Sequence, residues 1–167
     1  SYILATMATK GRLRLNNFYP NDLTFPLKIY QDMGLKIKKI SKTSYEFNCK
    51  TLKPIKKIST KEFPGYPTDL QAQLIATQLK SALKSKVVEN IFENRFIHIP
   101  ELRRFGANLS IIGKTVTIHK TLNLFGAEVM ATDIRASFSL IIAAMMSKGT
   151  TVITVSYTHL RAHETDH

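Results

Sequence analysis

One order of helices and strands recurs along this chain with a period of about 65 residues. Helices are predicted to open at Ser1, Thr68 and Thr132, and the two later openings share a Thr-Asp pair, Thr68-Asp69 and Thr132-Asp133. Each opening leads into a helix and a strand, and the first two rounds continue with a second helix and three more strands. The chain therefore predicts pseudo-symmetric units within one α/β domain.

The first helix of each round carries apolar residues over much of its circumference, and such a helix belongs inside a fold. We therefore expect buried helices surrounded by sheets, with a third unit that is truncated after its first strand. The predicted helices span 1–10, 20–33, 69–83, 99–105 and 133–147. The predicted strands span 12–17, 35–40, 44–48, 52–58, 87–92, 109–112, 115–119, 124–129 and 151–155.

Size and composition exclude several classes of protein. The chain has 167 residues, of which 44% are hydrophobic, so it can bury one core of its own. It contains no run of about 18 apolar residues typical of a membrane span, and it does not begin like a secretory leader. Its one cysteine, Cys49, cannot form an internal disulfide, which fits a reducing compartment. We expect a soluble, cytoplasmic protein with no membrane partner.

The balance of charge is strongly basic. The chain carries 24 Lys and Arg against 12 Asp and Glu, a net charge of +12, and such an excess attracts anions. Many of the lysines lie between Lys36 and Lys61, in segments that alternate like exposed strands. A solvated sheet surface explains them, and a basic nucleic-acid-binding module is the alternative that the charge suggests. Because aromatic residues do not alternate with the lysines, we expect no nucleic-acid partner.

One turn combines Pro64, Gly65 and Pro67 immediately before Thr68-Asp69. The prolines fix φ and the glycine permits a tight bend, so the segment predicts a rigid turn that delivers a carboxylate to the start of a helix. Thr68 and Asp69 would supply oxygens to the free N–H groups of that helix, as an ordinary N-cap does. Since the turn is more rigid than a cap requires, a functional carboxylate is the second interpretation.

Two further segments carry polar residues where ligands commonly bind. Asp133 opens another helix, and Arg135 adds a basic group to an N-terminus that already favours anions. After a predicted strand, phenylalanine alternates with Asn94 and Arg95, a pattern typical of ligand-lining loops at strand ends. Composition alone equally allows core phenylalanines beside a solvated turn.

The sequence predicts no metal site and no cofactor. His98 and His119 stand apart from other ligand-type residues, and we interpret each as a surface histidine or a hydrogen-bonded core histidine. No glycine-rich phosphate loop, paired-cysteine motif or nucleophile elbow occurs before residue 155.

Three segments resemble, in order and spacing, motifs of the UDP-N-acetylglucosamine 1-carboxyvinyltransferases within the enolpyruvyl transferase family. They are 63–73, 91–102 and 129–137, and the resemblance extends over about residues 1–154. It implies an inside-out α/β barrel domain, one of two in an enzyme that moves the enolpyruvyl group of phosphoenolpyruvate to the 3-hydroxyl of UDP-N-acetylglucosamine. That reaction is the first committed step of peptidoglycan synthesis. A sister enzyme that acts on shikimate 3-phosphate shares the fold and is the close alternative.

The resemblance also implies roles for individual residues. Asp69 would act as a general base that takes the proton from the sugar hydroxyl. Ile91 would contact the UDP-sugar mainly through its backbone, and Phe92 and Arg95 would line the same cleft. No metal or organic cofactor is implied.

On the phosphoenolpyruvate side the resemblance places Asp133 and Arg135, with the arginine neutralising charge. Arg161 falls in register with a family motif, but residues 155–167 otherwise depart from it and look like a translated sequencing adapter. The family's other domain, with its lysine and its reactive cysteine, is absent, and Cys49 lies in no matching motif. We therefore expect residues 1–154 to form most of one domain, inactive without the N-terminal catalytic domain.

Overall fold

The computed structural model describes residues 1–81 and 83–155 and has a mixed α/β fold. Its helices are α1 (Tyr2–Ala8), α2 (Thr24–Asp32), α3 (Gln71–Gln78), α4 (Ile99–Arg104) and α5 (Ile134–Met146), and 3-10 turns at Pro20–Leu23 and Thr68–Leu70 precede α2 and α3. Its strands are β1 (Arg12–Leu15), β2 (Lys36–Lys39), β3 (Tyr45–Asn48), β4 (Ile58–Ser59), β5 (Ser85–Val88), β6 (Leu109–Ile112), β7 (Thr115–Ile118), β8 (Glu128–Ala131) and β9 (Val152–Val155). Within the described residues, no helix is both long and apolar enough to cross a membrane.

Three helices, α1, α3 and α5, pack against one another at the centre of the fold. All eight residues of α3 are buried, and Leu74 and Ile75 are completely enclosed. The hydroxyl of Thr77 donates to the carbonyl of Leu4 in α1 at 3.4 Å, so this polar residue is also paired inside the fold. The prediction of a buried helix is confirmed for α3.

α3 and α5 lie side by side and run in the same direction. At their N-terminal ends, Nη1 of Arg135 lies 3.7 Å from Oδ1 of Asp69. At their C-terminal ends, the ammonium of Lys80 donates to the carbonyl of Met146 at 3.1 Å. Parallel helices bring like ends of their dipoles together, and carboxylates at the N-terminal end with an ammonium at the C-terminal end have the signs that offset this repulsion.

α5 is buried on one side only, whereas its sequence predicts burial nearly all round. Leu140 and Ala143 are completely enclosed, but Ile134, Ile141 and Met145 are 61%, 43% and 55% exposed. Among the described elements, the sheet that packs on α5 is the parallel pair β8–β9. This pair leaves an apolar strip of the helix beside an open cleft of about 440 Å³.

Each of the three central helices packs against one sheet. The sheet on α1 is antiparallel in the order β1-β3-β2, and its central Phe47 is fully buried between Leu13 and Ile37. The sheet on α3 has the order β4-β5-β7-β6, with β4 parallel to β5 and the other pairs antiparallel. Lys36 and Lys38 of β2 are exposed, in agreement with a lysine-rich outer surface.

The predicted strand 52–58 is wrong over most of its length, since only Ile58–Ser59 forms β4. Pro54 has no N–H to give to a neighbouring strand. The side chain of Gln78 replaces a neighbouring strand as the hydrogen-bond partner of this segment. Its Oε1 accepts from the N–H of Ile55 at 3.0 Å, and its Nε2 donates to the carbonyl of Lys53 at 3.3 Å.

Most of the other predicted elements differ by one or two residues at an end, and three differ by more. The strand predicted over 87–92 lies at Ser85–Val88. Beyond it the N–H groups of Ile91 and Phe92 donate to the Glu89 carboxylate and not to a neighbouring strand. The helix predicted over 69–83 begins as a 3-10 turn and ends at Gln78. The strand predicted over 124–129 starts at Glu128, and before it only an isolated parallel bridge joins Phe125 to Lys148.

Gly34, which follows α2, provides a test of this packing. Its φ is +107°, and a Cβ on it would collide with the carbonyl of Thr51. We expect Gly34→Ala to lower the free energy of unfolding by about 2 kcal/mol or more, from backbone strain and collision together. Gly113 has φ +54° and open space around it, so Gly113→Ala should cost only about 1 kcal/mol. Urea unfolding of both variants checks this, and equal losses would contradict it.

Candidate active site

The turn before α3 is anchored by Tyr66, whose side chain is completely buried. Its hydroxyl donates to the carbonyl of Leu70 at 3.3 Å and lies 3.0 Å from the hydroxyl of Tyr30 in α2. Burial raises the pKa of both phenols, so the pair is neutral. The N–H of Gly65 donates to the carbonyl of Glu62 at 2.7 Å and closes the bend. The predicted turn is present, and it is attached to the core.

Asp69 lies in the 3-10 turn that follows, and it does not cap a helix. Neither this turn nor α3 has a side-chain N-cap, so the N-cap interpretation is wrong for Thr68 and Asp69. The Asp69 side chain is 75% exposed, and its Oδ1 lies 3.7 Å from Nη1 of both Arg95 and Arg135. The carboxylate therefore faces two guanidinium groups on one side and solvent on the other.

Asp133, in contrast, is the N-cap of α5. Its Oδ1 accepts from the N–H groups of Arg135 and Ala136, each at 2.8 Å. Its Oδ2 accepts from Nη2 of Arg135 at 3.0 Å. The cap therefore fixes the Arg135 side chain so that its guanidinium also reaches Asp69.

Arg95 reaches the site from the loop after β5. Its guanidinium lies over the ring of Phe92, 4.3 Å from the ring centroid, a cation–π contact that holds both side chains. The Arg95 side chain is only 20% exposed, and its Nη1 has no hydrogen-bond partner among the described residues. Its contact with Oδ1 of Asp69, at 3.7 Å, is an ion pair that is too long for a hydrogen bond.

A small cavity of about 20 Å³ lies beneath these charged groups, large enough for about one water molecule. Three buried polar atoms without a partner among the described residues belong to side chains that line it: Nε2 of Gln71, Nη1 of Arg95 and Nε2 of His98. Desolvation lowers the pKa of His98 to about 4, although the Asp133 charge and a hydrogen bond with the Arg95 backbone oppose the shift. His98 is therefore neutral at pH 7.

A wider cleft of about 560 Å³ opens on the other side of the Arg95 loop. Phe92 and Ile111 give it apolar surface, Arg95 and Lys114 supply cations, and the acids Glu89 and Glu93 also line it. Apolar and aromatic lining with a few placed cations suits a ligand that has both a flat ring and an anionic group.

The structure brings together four of the residues that the sequence singled out: Asp69, Arg95, Asp133 and Arg135. Phe92 joins them through Arg95. Ile91 is half-buried in the same loop, and its N–H is taken by a side chain of the protein. Arg161 and the rest of the tail lie outside the described residues.

Sequence reasoning missed two buried polar residues that support this group, Gln71 and Glu89. It named His98 as a surface or core histidine, and the structure places it in the core, 3% exposed. Glu89 is 2% exposed at the end of β5. A signal for it existed, because an acidic residue inside a predicted buried strand is unusual unless its carboxylate is paired. No group of three His, Cys, Asp or Glu side chains within 1–81 and 83–155 is placed to hold a metal ion.

Solved structures define the class of fold. The chain is similar to the enolpyruvyl transferase NikO from Streptomyces tendae, with a TM-score of 0.79 and 21% identity over 92% of this chain and 37% of that one. It is also similar to EPSP synthase from Acinetobacter baumannii, with a TM-score of 0.67 and 14% identity over 93% of this chain and 38% of that one. The fold is therefore that of the enolpyruvyl transferases.

Sequence comparison gives the family. The pattern of the EPSP synthase (3-phosphoshikimate 1-carboxyvinyltransferase) family matches residues 1–164, and the chain belongs to that family. Relatives named UDP-N-acetylglucosamine 1-carboxyvinyltransferase include one from Campylobacter lari, 42% identical over 98% of this chain, and one from Pelagibacter ubique, 39% identical over 98%. The chain spans 39% of the length of each of these two relatives.

The buried neutral His98 predicts a pH dependence of stability. Its pKa is about 4 in the folded chain against 6.5 for an ordinary histidine, so between these values the unfolded chain binds more protons. Stability should therefore be complete above pH 6.5 and fall as the pH drops towards 4, by up to about 3 kcal/mol from this residue.

Urea unfolding between pH 4 and 7 of the wild type and of His98→Gln measures this term. The variant should lose that part of the slope, while His119→Gln, which changes a histidine paired with Ser110 at 3.0 Å on the β6–β7 sheet, should keep it. Identical slopes in the wild type and His98→Gln would show that His98 is not the group responsible.

Proposed function

We propose that this chain is part of a transferase that moves the enolpyruvyl group of phosphoenolpyruvate to the 3-hydroxyl of UDP-N-acetylglucosamine, in peptidoglycan synthesis. The observation that carries the proposal is the exposed Asp69 carboxylate, held 3.7 Å from two guanidinium groups on a fold of this family. The names of the relatives, at about 40% identity over nearly the whole chain, support the choice of substrate.

Asp69 is the general base in this proposal. Proton abstraction needs a carboxylate that is ionised, accessible and held in position. Its 75% exposure allows contact with a substrate hydroxyl, and two guanidinium groups lie 3.7 Å from its Oδ1. Because Asp69 makes no cap, its oxygens are not committed to backbone N–H groups.

Ile91, Phe92 and Arg95 form the sugar-nucleotide side. The cleft beside them combines an aromatic face with cations, which suits a base, a sugar and a diphosphate in one ligand. The N–H of Ile91 donates to Glu89, so its carbonyl is the backbone group available for the substrate contact that we assign to Ile91.

Asp133 and Arg135 form the phosphoenolpyruvate side. Asp133 already occupies the first N–H groups of α5, so the helix end itself does not bind the anion in this proposal. The guanidinium of Arg135, positioned by Asp133 at 3.0 Å, meets the phosphate or carboxylate instead.

The remaining groups of the active site come, in our proposal, from the part of the enzyme that this chain does not include. The chain spans 39% of the length of the relatives above, and residues 1–154 would form most of one inside-out α/β barrel domain. The three central helices, each with its own sheet, support that architecture. We also propose that residues 155–167 are foreign to that domain, although the family pattern matches as far as residue 164. We propose the cytoplasm as its location.

The proposal is tested on the full-length protein that contains residues 1–154. Asp69→Asn should lower kcat for enolpyruvyl transfer to UDP-N-acetylglucosamine by about 10²–10⁴-fold, because the base is lost while the shape is kept. Glu62→Gln is the matched control, since Glu62 is an exposed acid in the turn that precedes Asp69, and it should leave kcat within about twofold of the wild type.

The acceptor is varied in the same assay. Turnover of shikimate 3-phosphate but not of UDP-N-acetylglucosamine would favour the sister synthase, whose name the family carries. An unchanged rate in Asp69→Asn would remove Asp69 from the role of base.

A further inference from the structure

The Glu89 carboxylate is buried at the boundary between the Asp69 turn and the Arg95 loop, with 2% of the residue exposed. Its Oε1 accepts from the hydroxyl of Thr60 at 2.8 Å and from the N–H groups of Ile91 and Phe92 at 2.9 and 3.2 Å. Its Oε2 accepts from the hydroxyl of Thr68 at 2.8 Å. Four donors therefore converge on one side chain.

The direction of these hydrogen bonds follows from their partners. Two of the donors are backbone N–H groups, which can only donate. The hydroxyl of Thr60 accepts from the N–H of Asn90 at 2.9 Å, so its own proton is free to go to Glu89. Because an ionised carboxylate only accepts, Glu89 matches this set of donors as an anion.

No cation pairs with Glu89 among the described residues, since none of the described salt bridges includes it. A buried carboxylate without a cation is costly unless hydrogen bonds compensate it. A strand end alone does not require such a group, since the N–H groups of Ile91 and Phe92 could meet solvent at the surface. The arrangement therefore calls for a function beyond ending β5.

The bond to Thr68 indicates that function. Thr68 directly precedes Asp69, and its hydroxyl is used for Glu89 instead of capping a helix. On the other side, Ile91 and Phe92 begin the loop that carries Arg95, and Phe92 contacts the Arg95 guanidinium at 4.3 Å. One rigid carboxylate thus connects the segment that bears Asp69 with the segment that bears its arginine partner.

We propose that Glu89 is a positioning residue that sets the distance between Asp69 and the Arg95 loop. This inference rests on the function proposed above, in which Asp69 must meet a hydroxyl of a substrate bound beside that loop. Oε2 of Glu89 holds the turn that carries Asp69, the proposed general base, through the Thr68 hydroxyl. Oε1 holds the loop that carries Arg95, on the proposed sugar-nucleotide side, through the N–H groups of Ile91 and Phe92. Displacement of a reacting group by about 1 Å can cost about 10²-fold in rate.

Loss of the Thr68 donor and loss of the Thr60 donor are expected to change different kinetic constants of the full-length protein. Thr68→Val keeps the shape and removes the hydroxyl, so kcat should fall by about 10–100-fold while KM for UDP-N-acetylglucosamine stays within about threefold. Thr68→Ser restores the donor and should recover most of the rate. Thr60→Val removes a donor on the loop side and should raise this KM more than it lowers kcat.

Hydrogen exchange in the 167-residue chain supplies a readout that does not depend on activity. The N–H groups of Ile91 and Phe92 are protected by Oε1 of Glu89. If the carboxylate is held from both sides, Thr68→Val should speed their exchange by about tenfold or more, and Thr68→Ser should leave it near the wild-type rate.

Each outcome decides the matter. A fall in kcat in Thr68→Val that Thr68→Ser rescues, together with faster exchange at Ile91 and Phe92, supports the positioning role. A loss of stability with unchanged kcat, or an equal loss of rate in both variants, overturns it. If the wild-type protein transfers no enolpyruvyl group, the proposed function fails, and the exchange rates alone then decide whether Glu89 links the two segments.

Discussion

The parallel packing of α3 and α5 is the constraint on which the site depends. Because the two helices run in the same direction, the turns that precede them meet at one end of the fold, and Asp69 comes within 3.7 Å of Arg135. Neither helix carries the arrangement alone. Parallel dipoles oppose such packing, and acidic groups at the N-terminal ends offset part of that cost. The carboxylates of Asp69 and Asp133, which stabilise the parallel helix pair, therefore also belong to the candidate site.

The site is built in two layers that differ in charge. On the open side, the exposed Asp69 carboxylate lies 3.7 Å from two guanidinium groups, and such an ion pair contributes little to stability but can act on a ligand. Beneath them, Glu89 and Tyr66 are held by hydroxyl and backbone groups that carry no formal charge. Neutral hydrogen-bond partners can fix a side chain in place. Since they carry no positive charge, they do not compete with the arginines for an anionic ligand.

Periodicity predicted the helices and most of the strands to within a few residues, because apolar spacing is a local property of the chain. It failed where a side chain replaces a backbone partner, as Gln78 does for Ile55 and Glu89 for Ile91. For the site, residue types alone left Asp69 as a cap or a functional acid. Its closeness to two arginines depends on tertiary packing, which only the family resemblance anticipated. Arg161 lies outside the described residues.

The contact between Tyr30 and Tyr66 makes the turn that presents Asp69 sensitive to substitutions in α2. Tyr66 belongs to the turn that presents Asp69, while Tyr30 belongs to α2, which supplies no group to the cleft, and their hydroxyls lie 3.0 Å apart in the core. Under the proposed function, a screen for loss of activity would therefore mark positions in α2 alongside those that line the cleft. The set of residues on which that activity depends is then wider than the cleft lining, and it includes a helix that does not line the cleft.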